Sequence, residues 1–325
     1  MNGGTMAGQI AGVEKRPSAM ETLGTLVPLV PSLLAMAWLV SQAKWFWSTR
    51  PDLNFGWVVL ILCCYLLWDA CERGVTLEWR VRWWALAAGV AGAGLLFVVQ
   101  VYQAAFGTNA ASTQGLALGV LLICAANVGI AYGWRGVRLF AMPFAFILVS
   151  LPLPSLIQGL VVNGLQHRVA VIDTELLNLM GIPAQQVGSL IQLPNGTVGI
   201  DEACSGIRSL QSTVMASLFI GYLSLTRASL RVLLLVAGVL LAITGNVIRS
   251  LYLCLSAYHR GIDSISKVHD AAGWSILAFT AVGVILISWW FSRMEAVANR
   301  LAMSARREEN DREEAKVGQA ERTKL

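Results

Sequence analysis

Residues 231–253 read RVLLLVAGVLLAITGNVIRSLYL, an apolar run long enough to cross a membrane as one helix. Such a crossing takes about 20 predominantly apolar residues. Asn246 and Arg249 stand near the far end of the run, three residues apart and therefore on one face of a helix. A cation at that depth is costly unless it is paired or faces a wet cavity. The run predicts a membrane helix with a polar site near one end; the alternative is an arginine that extends to the interface.

The composition of the whole chain indicates a membrane protein. Of its 325 residues, 56% are hydrophobic and only 13% are charged, whereas about a quarter of the residues of a soluble protein are charged. The net charge of +5 is small, and most basic residues lie near the ends of apolar runs. That pattern orients membrane helices and does not indicate nucleic acid binding. The first 22 residues are polar and lack a signal-peptide core, so we expect the first apolar run to be retained.

The apolar runs predict an all-α polytopic membrane protein with about eight transmembrane helices. Membrane-spanning strands are not expected, because the runs are continuous rather than alternating. The predicted spans lie near 23–43, 54–70, 83–102, 113–133, 137–153, 204–225, 231–253 and 271–292. We accordingly divide the chain into an N-terminal segment (1–22), a transmembrane domain (23–292) and a charged tail (293–325).

The basic residues predict how these helices are oriented. With the N-terminus inside, the inner loops and the terminal segments carry 17 of the 24 Lys and Arg residues, and the outer loops carry five. Lys and Arg accumulate in short cytoplasmic loops of membrane proteins. We therefore expect both termini to be cytoplasmic.

The outer stretch 154–203 is predicted to hold two further elements. Pro152 and Pro154 end the fifth helix, since proline cannot continue the hydrogen-bond ladder. Apolar side chains at spacings of three and four between 156 and 180 predict a periplasmic amphipathic helix, on the membrane or over the bundle. They are Ile157, Leu160, Val161, Leu165, Val169, Ile172, Leu176 and Leu179. Asn195-Gly196 between short alternating runs predicts a β-hairpin just before the sixth helix.

Cys204 lies where this loop enters the sixth helix, in the sequence EACSGIR of residues 202–208. Arg249 and His269 lie at the ends of the next two apolar runs. The three runs rise by about 34, 27 and 36 Å, close to the roughly 30 Å of a bilayer core. They are counted from Cys204 to Arg227, from Arg231 to Arg249 and from His269 to Arg293. Helices that alternate in direction therefore bring Cys204, Arg249 and His269 to one face, which the charge pattern identifies as the outer one.

A thiol, a cation and an imidazole at one lipid–water boundary indicate a cysteine acyl-transfer site. Cys204 would attack a carbonyl, His269 would take or hold the thiol proton, and Arg249 would stabilise the oxyanion. Arg208, one turn after Cys204, and Asn246 are candidate substrate-binding residues.

Other interpretations of these residues stay open. Arg208 and the helix N-terminus favour a thiolate at Cys204, whereas Asp201 and Glu202 oppose it. Cys204 could instead be a buried hydrophobic residue or form a disulfide with Cys254. The cysteines and histidines lack the spacing of metal ligands, and we expect no metal and no cofactor.

Four motifs between residues 152 and 273 resemble the exosortase/archaeosortase family of polytopic membrane transpeptidases. They are PLP at 152–154, EACSGIR at 202–208, NVIR at 246–249 and HDAAG at 269–273. The resemblance covers roughly residues 137–292. It implies that this is the catalytic half of an exosortase-like domain, with Cys204 as nucleophile and Arg249 and His269 completing the site.

The resemblance also implies substrates and a cellular setting. In this family the substrates are exported proteins whose C-terminal tail has a short motif (often Pro-Glu-Pro), a transmembrane helix and a basic cluster. The enzyme cuts near the motif and passes the acyl group to an acceptor. It accompanies surface-protein sorting and exopolysaccharide synthesis in Gram-negative bacteria. The expected partners are therefore such exported proteins, membrane lipid and an unidentified acyl acceptor, at a periplasmic site in the inner membrane.

Two functions of other classes stay open. A transporter would carry polar residues along its whole path, whereas here they gather at one end. A polyprenyl-phosphate sugar transferase could bind phosphate through Arg208 and Arg249, but it would not need Cys204.

Overall fold

The computed structural model describes residues 24–50, 53–154, 159–199 and 207–322, except the side chains at 161, 207, 208, 266, 267 and 311–322. The predicted N-terminal segment 1–22 therefore lies outside the described residues. The chain forms two compact units, Met1–Gln158 and Gly159–Leu325. Most of the described residues are helical, as predicted, and the strands form one small sheet.

The described part of the first unit contains four α-helices, preceded by a short 3-10 segment, Val27–Leu29. They are α1 (Val30–Thr49), α2 (Gly56–Glu72), α3 (Trp83–Phe106) and α4 (Ala110–Ala145), and a short 3-10 segment, Phe146–Ser150, follows α4. Asn127 on α4 donates hydrogen bonds to the Pro28 carbonyl (3.0 Å) and to the Ser32 hydroxyl (2.9 Å) at the start of α1. Small residues let α3 and α4 approach closely: a Cβ at Gly92 would lie 3.0 Å from the Gly119 carbonyl oxygen.

The chain reverses direction inside α4 without a connecting loop. The backbone leaves helical geometry at Gly133 (φ 68°, ψ −163°), a conformation that glycine adopts without steric cost. Gln114 Nε2 donates to the Pro152 carbonyl at 3.1 Å, whereas 38 residues of straight helix would separate them by about 57 Å. The sequence predicted two spans, 113–133 and 137–153, and their boundary coincides with this reversal.

Five helices in the described part of the chain are long and apolar enough to cross a membrane. They cover Gly24–Thr49, Trp83–Phe106, Ala110–Ser150, Ala228–Arg260 and Val268–Asn310. Two other predicted spans correspond to shorter helices, Gly56–Glu72 with 17 residues and Ile207–Ser224 with 18. The count of eight spans stays a prediction.

Within the residues that the structure describes, the second unit contains five helical segments and three strands. They are a π-helical turn (Gly159–Asn163), α5 (Gly164–Leu179), β1 (Gln185–Val187), β2 (Leu190–Leu193), β3 (Gly196–Gly199), α6 (Ile207–Ser224), α7 (Ala228–Arg260) and α8 (Ser264–Arg322). Helices α6, α7 and α8 pack together as a bundle.

Glycines set the register of this bundle. A Cβ added to Gly238 of α7 would overlap the hydroxyl of Ser217 on α6, and one added to Gly221 would lie 3.2 Å from Leu234. Because 217 pairs with 238 and 221 with 234, the two helices are antiparallel. A Cβ at Gly245 of α7 would likewise lie 3.0 Å from Ile276 of α8. With the pairing near residues 226 and 295 described below, the predicted alternation of the three helices is confirmed.

Helix α5 forms within the stretch predicted as amphipathic, and the face that it packs against the rest of the unit lies beside most of its larger apolar side chains. Its buried residues are Gln166, Val169, Ala170, Asp173 and Leu177. The predicted apolar face contributes Val169 to this core, while Leu160, Ile172 and Leu179 are exposed. Spacing alone favoured the larger apolar side chains, whereas α7 and the sheet pack against a neighbouring face that includes a carboxyl group. Whether α5 lies on the periplasmic membrane surface stays a prediction.

The predicted hairpin is confirmed and belongs to a three-stranded antiparallel sheet in the order β1-β2-β3. Leu193 pairs with Gly196, so Pro194 and Asn195 form the turn, one residue earlier than expected. The additional strand β1 pairs with β2. Ile191, Leu193 and Val198 pack with Cys254 and Ala257 in a core that also includes α5. The sheet therefore covers the C-terminal end of α7.

Helix α8 continues through the predicted tail and contributes a buried carboxylate at the opposite end of the bundle. Glu295 is 5% exposed and accepts hydrogen bonds from Thr226 N (2.9 Å), Thr226 Oγ1 (2.6 Å) and Arg227 N (2.8 Å). An anion at a helix N-terminus is favourable, and these residues precede α7. Glu295 lies in the segment predicted as a charged tail (293–325), but it is buried because the loop between α6 and α7 closes over it.

We expect the substitution Glu295→Ala to destabilise the bundle. It would leave three donors at the start of α7 without their acceptor, a loss of roughly 3 kcal/mol for a buried charged partner. Thermal unfolding of the detergent-solubilised protein measures this as a lower melting temperature. Glu308→Ala, an exposed carboxylate on the same helix, is the matched control. Equal melting temperatures for the two variants would contradict the role of Glu295.

Candidate active site

Arg249 and His269 meet where α7 and α8 lie side by side. Arg249 Nη2 lies 3.0 Å from His269 Nε2, although the residues are 20 positions apart. A guanidinium only donates hydrogen bonds, so Nε2 is the acceptor and carries no proton in this arrangement. The pairing agrees with the helix-rise argument, which brought these side chains to one end of the bundle.

The other imidazole nitrogen faces a carboxylate. His269 Nδ1 lies 3.1 Å from Asp270 Oδ1. Because Nε2 accepts from Arg249, Nδ1 carries the proton and donates it to Asp270. Asp270 is 91% exposed and His269 is 24% exposed, so the carboxylate orients the ring while solvent weakens its electrostatic effect. The three side chains form a chain of hydrogen bonds from a half-buried guanidinium to an exposed carboxylate.

Glycines leave room for the guanidinium. A Cβ at Gly273 would lie 3.4 Å from Arg249 Nη2, so this glycine lets α8 pass close to the arginine. Gly245, one turn before Arg249 on α7, keeps the two helices close together. These contacts account for Gly273 of the HDAAG motif and for Gly245, which lies directly before the NVIR motif.

Asn246 and Ser250 form a buried polar face beside Arg249. Asn246 is 2% exposed and Ser250 is 4% exposed. Residues four apart lie on one helical face, so these two side chains point the same way. In the part of the chain that the structure describes, neither the oxygen nor the nitrogen of the Asn246 amide has a hydrogen-bond partner. A buried polar group needs a hydrogen-bond partner, and a bound ligand can supply one.

Asp173, a fully buried residue of α5, was not among the predicted site residues. Ser250 Oγ donates a hydrogen bond to Asp173 Oδ2, and Asp173 Oδ1 has no partner among the described residues. Burial raises the pKa of Asp173 to about 7, and the Ser250 hydrogen bond partly opposes that shift. The available signal was a carboxyl four residues after Val169 and four before Leu177, on a face whose other buried residues include Gln166.

Two of the predicted site residues cannot be placed. Cys204 lies outside the described residues, and for Arg208 the side chain is not described. Helix α6 begins at Ile207. The pairing of Ser217 with Gly238 places this first residue at the level of Ile248, beside Arg249 in the sequence. Cys254 is fully buried in the core beneath the sheet, but its predicted pairing with Cys204 involves a residue outside the described ranges.

The other two histidines lie apart from the Arg249–His269 pair. His167 is exposed and its Nδ1 lies 3.0 Å from Gln186 Nε2. His259 is exposed and stacks edge-on against Tyr258. Among the described residues, no group of three or more His, Cys, Asp and Glu side chains could hold a metal ion.

Comparison with known proteins gives one match. A family model described as transmembrane exosortase matches residues 47–286 of the chain. The match extends well before residue 137, where the motif-based resemblance begins, and so includes most of the first unit. No curated protein and no solved structure shows significant similarity to the chain.

Proposed function

We propose, since the chain belongs to the transmembrane exosortase family, that it is a cysteine transpeptidase that cleaves C-terminal sorting signals of exported proteins. The observation that carries the proposal is the hydrogen bond between Arg249 and His269 at the end of the bundle where α6 begins. Helix α6 begins three residues after Cys204 in the sequence. A cysteine acyl-transfer site needs a base for the thiol and a donor for the oxyanion, and the imidazole and the guanidinium can supply these.

The proposed reaction has two steps. The Cys204 sulfur bonds to the scissile carbonyl carbon, and the peptide C–N bond breaks to leave a thioester. The leaving amine takes the proton that His269 received from the thiol. An amine, a lipid hydroxyl or amine, or water then attacks the thioester carbonyl and gives a proton to His269. The C–S bond breaks, and His269 returns the proton to the Cys204 sulfur. Arg249 donates to the oxyanion of both tetrahedral intermediates.

The hydrogen bonds of His269 indicate how the imidazole becomes free to accept the thiol proton. Nδ1 is fixed as a donor by Asp270, so Nε2 is the nitrogen that can accept the thiol proton. In the described arrangement Arg249 occupies Nε2. A substrate carbonyl that draws the guanidinium toward its own oxygen frees Nε2 for the thiol. Substrate binding and activation of the base are thereby coupled.

Asn246 and Arg208 are proposed to hold the substrate. The amide of Asn246 has both a donor and an acceptor without partners among the described residues, which suits an extended peptide backbone. Arg208, one turn after Cys204, would bind a carboxylate of the recognition motif. The substrate's own transmembrane helix would lie in the lipid beside the enzyme, which accounts for a site at a helix end.

The function can be tested by co-expressing the chain with an exported reporter that ends in a Pro-Glu-Pro motif, a transmembrane helix and a basic cluster. We expect the reporter to lose its tail only when the enzyme is present and the motif is intact. A reporter of unchanged mass, with the enzyme correctly inserted, would contradict the proposal. Thiol blocking separates it from a transporter or a sugar transferase, because only the transpeptidase depends on Cys204.

We further propose that the protein lies in the inner membrane with this site facing the periplasm and both termini in the cytoplasm. A membrane-impermeant maleimide should then label Cys204 in intact cells. A variant with its cysteines replaced and a single new one, Glu308→Cys, should be labelled only after the membrane is opened, since Glu308 lies in the exposed tail. Labelling of Glu308→Cys in intact cells would overturn this orientation.

A further inference from the structure

We infer that Asp173 is a positioning residue of this site, which holds Arg249 in place through Ser250. The inference rests on the proposed function, because it assigns a role in the same reaction. Asp173 does not touch the Arg249–His269 pair in any contact described above. It acts on the helix that carries the arginine.

The Asp173 carboxyl lies at a position where α5 packs against an apolar core. Asp173 is 0% exposed and belongs to the same face of α5 as Val169, Ala170 and Leu177, which pack in an apolar core with Cys254 and Ala257 of α7. An apolar residue at this position would continue that core. A buried carboxyl that is only partly hydrogen-bonded costs stability. Such a group at a packing position points to a requirement other than stability.

The Asp173 carboxyl contacts the residue next to Arg249 on α7. Its partner, Ser250, is itself buried and directly follows Arg249. Adjacent residues on a helix point about 100° apart. Arg249 therefore reaches α8, where it meets His269, and Ser250 reaches α5, where it meets Asp173. Helix α7 is held on two sides at the level of the site.

The Ser250–Asp173 contact affects the position of the Arg249 guanidinium. Rotation of α7 about its axis would carry the guanidinium away from His269. The Ser250–Asp173 hydrogen bond resists that rotation, and it fixes the face that carries Asn246 as well. A misplacement of about 1 Å at a reacting group can lower a rate by about a hundredfold. The raised pKa of Asp173 is consistent with a carboxyl that is buried among apolar side chains.

The experiment uses isosteric pairs in the full-length protein. Ser250→Thr keeps the hydroxyl. Ser250→Val has the shape of the threonine side chain but lacks the hydroxyl. Loss of the hydroxyl should lower kcat on the reporter peptide by about tenfold or more, with KM within about twofold, while Ser250→Thr retains most activity. Asp173→Leu should lower kcat similarly without lowering the melting temperature, because the residue fits an apolar core. Ser256→Val, which removes a buried hydroxyl on α7 that pairs with Ser264 (3.0 Å), is the matched control.

A second readout does not depend on turnover. Diethyl pyrocarbonate acylates the unprotonated imidazole nitrogen, which Arg249 covers at His269. Loss of the Ser250–Asp173 contact should raise the modification rate of His269 relative to exposed His167, read by mass spectrometry. An unchanged rate in both Ser250→Val and Asp173→Leu would overturn the inference. If these variants also turn over normally while Cys204→Ala is dead, the positioning role fails and the proposed function stands. If Cys204→Ala stays active, the proposed function fails instead.

Discussion

The Cys204→Ala variant is expected to leave sorting-signal cleavage undetectable, a fall of roughly a thousandfold or more in kcat. Alanine has no atom that can bond to the scissile carbonyl, so no thioester forms. Cys204→Ser should be nearly as inactive, because a hydroxyl is a far weaker nucleophile than a thiolate unless the site deprotonates it. The measurement is the mass of the co-expressed reporter, with enzyme levels in the membrane held equal.

The remaining cysteines provide the control for this experiment. Cys63 and Cys124 are buried in the first unit, and we expect Cys63→Ala and Cys124→Ala to process the reporter normally. With a slow acceptor, a thioester between Cys204 and the reporter should accumulate and be released by hydroxylamine. Cleavage by Cys204→Ala at the wild-type rate would remove the nucleophile from the proposal and return the transporter and the sugar transferase to consideration.

Helix rise was enough to predict that Arg249 and His269 lie at the same end of the bundle. Arg249 and His269 were assigned to one end of two adjacent spans because each lies about one bilayer thickness from a basic residue at the other end. The structure brings them to 3.0 Å. The prediction succeeded because α7 and α8 are consecutive, nearly uninterrupted apolar helices with a short connection, so the chain has few alternatives to antiparallel packing.

Features that depend on packing between distant segments could not be predicted in this way. Asp173 is buried because α7 and the sheet cover a face of α5 that its own apolar pattern does not favour. Glu295 is buried because the Thr226–Arg227 loop closes over it. In both cases the charge of the side chain argued for exposure. Only a partner some 70 residues away in sequence, Ser250 or Thr226, reverses that expectation.

The sharpness of the reversal at Gly133 could not be predicted for a different reason. Two spans, 113–133 and 137–153, were predicted there, with a short loop between them. The structure turns at a single residue, and the carbonyls freed by the turn are used by an earlier segment: Glu78 N donates to the Ala131 carbonyl at 2.8 Å, and Arg82 Nη1 donates to that of Gly129 at 2.9 Å. A turn without loop residues leaves only a glycine as its sequence signal.

Arg249→Lys is expected to lower kcat by about a hundredfold to a thousandfold, the range seen when an oxyanion donor is removed. Charge is conserved, so any loss must come from geometry. A guanidinium offers a planar set of five donors and can contact His269 Nε2 while a second N–H points to a substrate oxygen. An ammonium is a single centre on a flexible chain and cannot hold both positions in a fixed plane. The loss should therefore appear in kcat more than in KM.

Arg260→Lys is the matched control, because Arg260 is an exposed residue at the same end of α7. It keeps the local charge pattern and should leave the reporter reaction unchanged. The proposed exchange, in which the substrate carbonyl draws the guanidinium away from His269 Nε2, also predicts faster diethyl pyrocarbonate modification of His269 in Arg249→Lys without substrate, since the nitrogen is less well covered. Near-normal turnover together with unchanged modification would make Arg249 an interfacial anchor whose side chain extends toward water, and the oxyanion would then need another donor.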